Sequence, residues 1–70
     1  MIGAEDIDYF GYRLHVEPFA SGWRVLIYQP GSIIAETAIP QTMRPDQRDA
    51  CIREAMQIVL KSMENKKSGV

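Results

Sequence analysis

The chain has 70 residues, a formal net charge of −1, and 46% hydrophobic and 24% charged residues. This length allows one domain, the composition argues against disorder in the middle of the chain, and the charge argues against a dedicated nucleic-acid binder. The single cysteine, Cys51, excludes an internal disulfide and a cysteine-rich metal site. Because so short a chain buries only about 60% of its unfolded surface, self-association is its remaining source of stability.

Residues 1–8 are acidic and lack a basic flank followed by an apolar stretch, so they are interpreted as a flexible segment and not as a signal peptide. No apolar run approaches the length needed to span a bilayer. A cytoplasmic location is therefore predicted. The folded domain is expected over residues 9–64, and residues 65–70 are expected to form a disordered tail.

Two strands with a period-2 apolar pattern are predicted over residues 10–17 and 23–29. Residues 19–22 are interpreted as a four-residue loop that joins them into a hairpin. A slip of one residue would turn every side chain to the wrong face, so the two apolar faces fix the register. The pairs are Val16–Val25, Leu14–Ile27, Glu17–Arg24, His15–Leu26 and Arg13–Tyr28.

A turn is predicted at residues 29–32, Gln-Pro-Gly-Ser, and a third strand over residues 33–39. A two-residue type II turn would bury Glu36 beside Val25, which costs several kcal/mol without a partner. A three-residue loop leaves Glu36 outside. We expect this second register, whose inward residues are Ala35, Thr37 and Ile39.

A helix of about 20 residues is predicted to begin near Pro45, since proline suits the first helical turn. Asp46 and Asp49 lie at the positive end of its dipole, and Asp49 stands four residues before Arg53. The predicted buried stripe has helical spacing and consists of Ile52, Ala55, Met56, Val59 and Met63. The fold class is therefore α+β: a three-stranded antiparallel meander sheet with one C-terminal helix packed on one face, in the order β-β-β-α.

Two surfaces exceed what this fold covers. The apolar arc of the helix is about 200° wide, with Cys51 and Ile58 on one side of the stripe and Leu60 on the other. The sheet face away from the helix carries an apolar-aromatic cluster of Leu26, Tyr28 and Ile34. These six residues are the candidate dimer or partner surface, although Ile2, Ile7 and Tyr9 could cover part of the helix within one chain.

The open sheet face also carries a candidate nucleic-acid surface of Arg13, His15, Arg24 and Tyr28, because basic and aromatic side chains on a sheet bind phosphates and stack bases. Glu17 and Glu36 on the same face oppose this reading. His15 is the only histidine, and Cys51 has no histidine to activate it. We therefore predict no catalytic residues, no metal and no cofactor.

Residues 22–25, Gly-Trp-Arg-Val, followed by an apolar strand and by Thr42 before an alanine-bearing helix, resemble a group of small uncharacterised bacterial β-β-β-α domains. The resemblance covers residues 12–62. The element order is similar to that of HicB-type antitoxins, but residues 39–45 replace their Pro-Asp-x-Pro-Gly-Cys segment, so no activity is transferred. Sheet-type DNA-binding domains of integrases are also similar, but they need more basic surface than this chain has.

The sequence therefore predicts a non-enzymatic interaction or assembly module that self-associates as a homodimer. A protein partner is the second expectation, and no membrane contact is expected. The alternative function is nucleic-acid binding through the open sheet face.

Overall fold

The computed structural model describes residues 3–37 and 39–68. Four antiparallel strands form one sheet in the order β1-β2-β3-β4, and a short 3₁₀ turn at Pro45–Gln47 leads into the helix. The elements are β1 Glu5–Tyr9, β2 Tyr12–Phe19, β3 Gly22–Tyr28, β4 Gln41–Thr42 and α1 Arg48–Ser68. The α+β fold with one C-terminal helix is confirmed, but the sheet has four strands instead of three. The helix includes residues 65–68, which were predicted to be disordered.

The register of the β2–β3 hairpin is confirmed at all five predicted pairs, including Val16 with Val25 and Glu17 with Arg24. The strands run further than predicted, to Phe19 and from Gly22, so the loop has two residues instead of four. Ala20 takes a φ of 52° in this turn. Sequence patterning fixed the register because both strands present one apolar face.

The prediction of a flexible segment over residues 1–8 is wrong for residues 5–8, because they belong to β1, which pairs along its whole length with β2. A two-residue turn joins them, with Phe10 at φ 52° and Gly11 at φ 83°. Positive φ at both positions is typical of a type I′ turn, where asparagine and glycine are the usual residues. Phenylalanine is not a usual residue of the first position, so the alternating pattern predicts a strand at residue 10 instead.

The predicted third strand over residues 33–39 does not form a regular strand. Tyr28 pairs with Ala35 in an isolated bridge, whereas Arg24 pairs with Gln41 in β4. The outer segment advances six residues, from Ala35 to Gln41, while β3 advances four, from Tyr28 to Arg24. The outer segment therefore has two extra residues, which form a bulge. Ala38, which falls within the predicted third strand, lies outside the described residues.

The inward residues predicted for that strand are also wrong. Ala35 lies opposite Tyr28 on the open face, Thr37 is exposed, and Ile39 is 38% exposed. The amide of Glu36 donates to the Ile27 carbonyl at 2.7 Å, and its carboxylate accepts from Gln29 Nε2 at 2.9 Å. The bulge therefore gives the carboxylate a partner, which a straight strand in either predicted register did not provide.

Close approach of β4 to β3 requires a glycine at position 22. A Cβ built at Gly22 would overlap the backbone carbonyl of Thr42. Beside it, the Val25 amide donates to the Pro40 carbonyl at 3.0 Å and continues the contact between β3 and the segment that leads into β4. The glycine is thus needed for space at a position where its backbone is ordinary.

The core lies between α1 and strands β2 and β3. Its buried members are Tyr12, Leu14, Val16, Trp23, Val25, Ile27, Cys51, Ala55 and Val59. Ile7 and Tyr9 of β1 pack against its border. Trp23 joins the layers, because its Nε1 donates to the Pro45 carbonyl at 3.1 Å and the Arg48 guanidinium lies 5.1 Å from its ring centroid.

Candidate interaction surface

The side of α1 that faces the sheet is centred on Ala55 and Val59, both fully buried. Cys51 lies on this side and is 5% exposed, with its Sγ 4.0 Å from the Trp23 carbonyl. The prediction that Cys51 offers surface to a partner is therefore wrong. Burial, followed by the charge of Glu54, raises the pKa of the Cys51 thiol.

One flank of α1 remains uncovered. Leu60 is 38% exposed and lies about 140° round the helix from Ala55, at about 100° per residue. Met56 and Met63 are half-buried and lie between Leu60 and the core. Ile58 is half-buried on the opposite flank, about 160° round the helix from Leu60. The apolar flank on the Leu60 side, Met56, Leu60 and Met63, is called the α1 flank below.

The second half of α1 extends beyond the part of the helix whose side chains are buried against the sheet. From residue 60 to residue 65 no side chain is buried, although Val59 is fully buried. The molecule measures 43 Å along one axis and 19 and 17 Å along the others. Its accessible surface is 4947 Å², whereas a compact monomer of 7.9 kDa exposes about 4,400 Å². The fold thus leaves surface open that a rounder chain would bury.

On the open sheet face, carboxylates contact His15 and Arg24, both across neighbouring strands and along β2. His15 Nδ1 lies 2.6 Å from an Asp6 carboxylate oxygen, and its Nε2 lies 3.3 Å from Glu17. Arg24 forms a salt bridge with the same Glu17. Two of the candidate nucleic-acid residues, His15 and Arg24, are therefore bound to carboxylates within the chain.

The remaining cationic group on this face is Arg13. Its guanidinium lies 4.5 Å from the ring centroid of Tyr28, in cation–π geometry. Arg24 makes a similar contact with Phe19 at 4.4 Å. Tyr28, expected to stack on bases, is thus covered in part by Arg13, and Asp8 is the cross-strand neighbour of Arg13.

Leu26, Tyr28 and Ile34 do not form the predicted cluster on neighbouring strands. Leu26 and Tyr28 are half-buried on β3, but Ile34 lies in the irregular segment before the bridge and is 77% exposed. Ser32 Oγ accepts a hydrogen bond from the Ile34 amide and fixes this segment. Ile34 precedes the bridge at Ala35 and belongs to no strand, whereas the strand pattern predicts a regular strand there.

Sequence reasoning missed an exposed apolar end of the sheet. Phe10 is 65% exposed and Ile33 is 90% exposed. A Cβ at Gly11 would lie 3.5 Å from Pro30, so the β1–β2 turn and the turn after β3 lie side by side. The usable signal was Gly11 between two alternating runs, because glycine at the second position favours a two-residue turn.

A shallow groove of about 390 Å³ follows the solvent side of α1, and its lining consists of Glu54, Gln57, Ile58, Leu60, Lys61 and Glu64. All six belong to one helix, so the groove is a gap between its side chains. Among residues 3–37 and 39–68 no group of three or more potential metal ligands comes together. Within the same residues no helix is both long and apolar enough to cross a bilayer.

Comparison of the chain with protein-family models, with curated proteins and with solved structures gave no match. The resemblance carried by residues 22–25 therefore stays a prediction.

Proposed function

We propose that this chain is a non-enzymatic interaction module that self-associates as a homodimer through α1. The observation that carries the proposal is the α1 flank: Leu60 is 38% exposed, and no side chain from residue 60 to residue 65 is buried. An apolar helix flank beside a core of nine buried side chains favours a second copy as its cover.

The surface area supports the same assignment. The chain exposes about 550 Å² more than a compact monomer of its mass. A stable dimer needs roughly 800 Å² from each partner. The open area is of the order that one partner contributes.

Pairing through the sheet edge is the less favourable mode. Strand β1 is an edge strand and carries three carboxylates in five residues, on Glu5, Asp6 and Asp8. Charged side chains on an edge oppose strand addition, and two copies of β1 would place these acids against each other. The helix is therefore the interface that we assign.

The proposal is tested by light scattering of the full chain between about 5 and 500 μM. We expect a dimer mass for the wild type and a monomer mass for Leu60→Lys, because the lysine places a charge in the apolar flank. Ile34→Lys is the matched control, since Ile34 is 77% exposed away from α1. A monomer mass for the wild type over the whole range would exclude self-association.

We do not extend the proposal to nucleic acid. On the open face, the salt bridge to Glu17 occupies Arg24, and Asp8 is the cross-strand neighbour of Arg13. We expect no retention of single- or double-stranded DNA or RNA at about 50 mM salt. Binding that weakens with salt and with Arg13→Ala would restore the alternative.

A further inference from the structure

The α1 flank has the residue spacing of a helix–helix seam. Arg53, Met56, Leu60 and Met63 follow one another at intervals of 3, 4 and 3 residues, the spacing of positions a and d in a heptad. Leu60 and Arg53 are exposed, and the two methionines are half-buried. The seam therefore lies beside the buried side of the helix and faces away from the sheet.

The charged residues of this seam attract those of a second copy only if the two helices run antiparallel. Arg53 lies at its start and Glu64 lies just past its end. Arg53 forms no ion pair with Asp49 or with any other group in the described part of the chain. In a parallel pair, each Arg53 would face Arg53 of the partner subunit, which like charges oppose.

We propose that two copies pair their α1 helices antiparallel, about a two-fold axis near residue 58. This inference rests on the proposed function and specifies its geometry. In this register Met56 packs on Leu60 of the partner subunit, and Arg53 lies over Met63 of the partner subunit. The Arg53 guanidinium then reaches Glu64 of the partner subunit, and the symmetry repeats each contact twice.

The antiparallel register also agrees with the position of the sheet. Ala55 and Val59 hold the sheet on one side of α1, and the seam lies about 80° to 160° round the helix from Ala55. Two helices can therefore meet along their seams while each keeps its own sheet. The long aliphatic part of Arg53 covers Met63 of the partner subunit while its charge stays near water.

The test is a charge exchange in the full chain, read by sedimentation equilibrium. We expect Arg53→Glu and Glu64→Arg each to raise the dimer dissociation constant about tenfold, because each places two like charges together twice. The double variant Arg53→Glu/Glu64→Arg should return to within about threefold of the wild type. Arg13→Glu is the matched control, with the same change in charge on the opposite face of the sheet.

The outcomes separate the register from self-association. A wild-type chain that stays monomeric overturns both proposals. A wild-type dimer whose affinity is unchanged by Arg53→Glu, or equally weakened by Arg13→Glu, overturns the antiparallel register and leaves self-association standing. A double variant that stays as weak as the single variants also overturns the register.

Discussion

At the scale of single residues, the turns of this chain use residues that do not suit them. Ala20 and Phe10 both take a φ of 52°, a left-handed conformation that costs an L-residue roughly 1–2 kcal/mol. Gly22, by contrast, has room for no side chain because β4 passes directly over it. We therefore expect Gly22→Ala to lower the free energy of unfolding and Ala20→Gly to raise it.

Gly22→Ala should lower the free energy of unfolding by about 2–3 kcal/mol, because the new methyl group forces the Thr42 backbone away from β3. Urea denaturation measures this change. Gly3→Ala is the control, since its Cβ would meet nothing within 4 Å. Equal stability of the two variants would show that β4 does not pack as described.

Ala20→Gly should instead raise the free energy of unfolding by up to about 1 kcal/mol. Relief of the left-handed conformation outweighs the extra freedom that glycine gives the unfolded chain. The same substitution in the exposed first turns of α1, Ala50→Gly, should cost about 1 kcal/mol. Thermal unfolding of both variants distinguishes them, and a loss of stability at position 20 would contradict the turn geometry.

The buried thiol gives a pH prediction. Because burial and Glu54 raise the pKa of Cys51, the folded chain keeps this proton at pH values where the unfolded chain loses it. The free energy of unfolding should therefore fall as the pH rises above about 8.5, the ordinary thiol value. Cys51→Ala should show a smaller fall over the same range, measured by urea titration at pH 8 and pH 10.

At the scale of elements, the sequence predicted the β2–β3 register, because both strands have a strong alternating pattern. The predicted helix start at Pro45 is where a 3₁₀ turn begins, and α1 itself begins three residues later at Arg48. The sequence did not predict β1, whose apolar residues, Ile7 and Tyr9, alternate with acids in a segment of high charge. It also could not predict the bulge before β4, because that depends on where Glu36 finds a partner.

The candidate surface was predictable only in part, for the same reason. The width of the apolar arc on α1 followed from the sequence, but the side of the helix that the sheet covers did not. Cys51 and Leu60 flank the same stripe, and packing against Trp23 decides that Cys51 is the buried one.

Strand β1 gives a prediction at the element scale. Ile7→Ala should lower the free energy of unfolding by about 1–2 kcal/mol, because Ile7 is half-buried against the core. Ile33→Ala should change it by less than about 0.5 kcal/mol, since that side chain is 90% exposed. Urea denaturation of both variants is the measurement. A neutral Ile7→Ala would restore the flexible segment that we predicted for residues 1–8.

At the scale of the whole molecule, stability and association are linked. A second copy that binds the folded chain stabilises it by mass action, so the melting temperature should rise with protein concentration. We expect a rise of several degrees in the wild type between about 5 and 500 μM, measured by calorimetry. The melting temperature of Leu60→Lys should not change over this concentration range, because the variant does not dimerise.

Trp23 is the single tryptophan of the chain and sits where sheet and helix meet. Its indole is bound to the Pro45 carbonyl and covered by Arg48. It is therefore an intrinsic fluorophore whose emission wavelength reports whether α1 is packed against the sheet. A red shift without loss of the β2–β3 hairpin would reveal the helix lifting away as a separate event, with no label added to the chain.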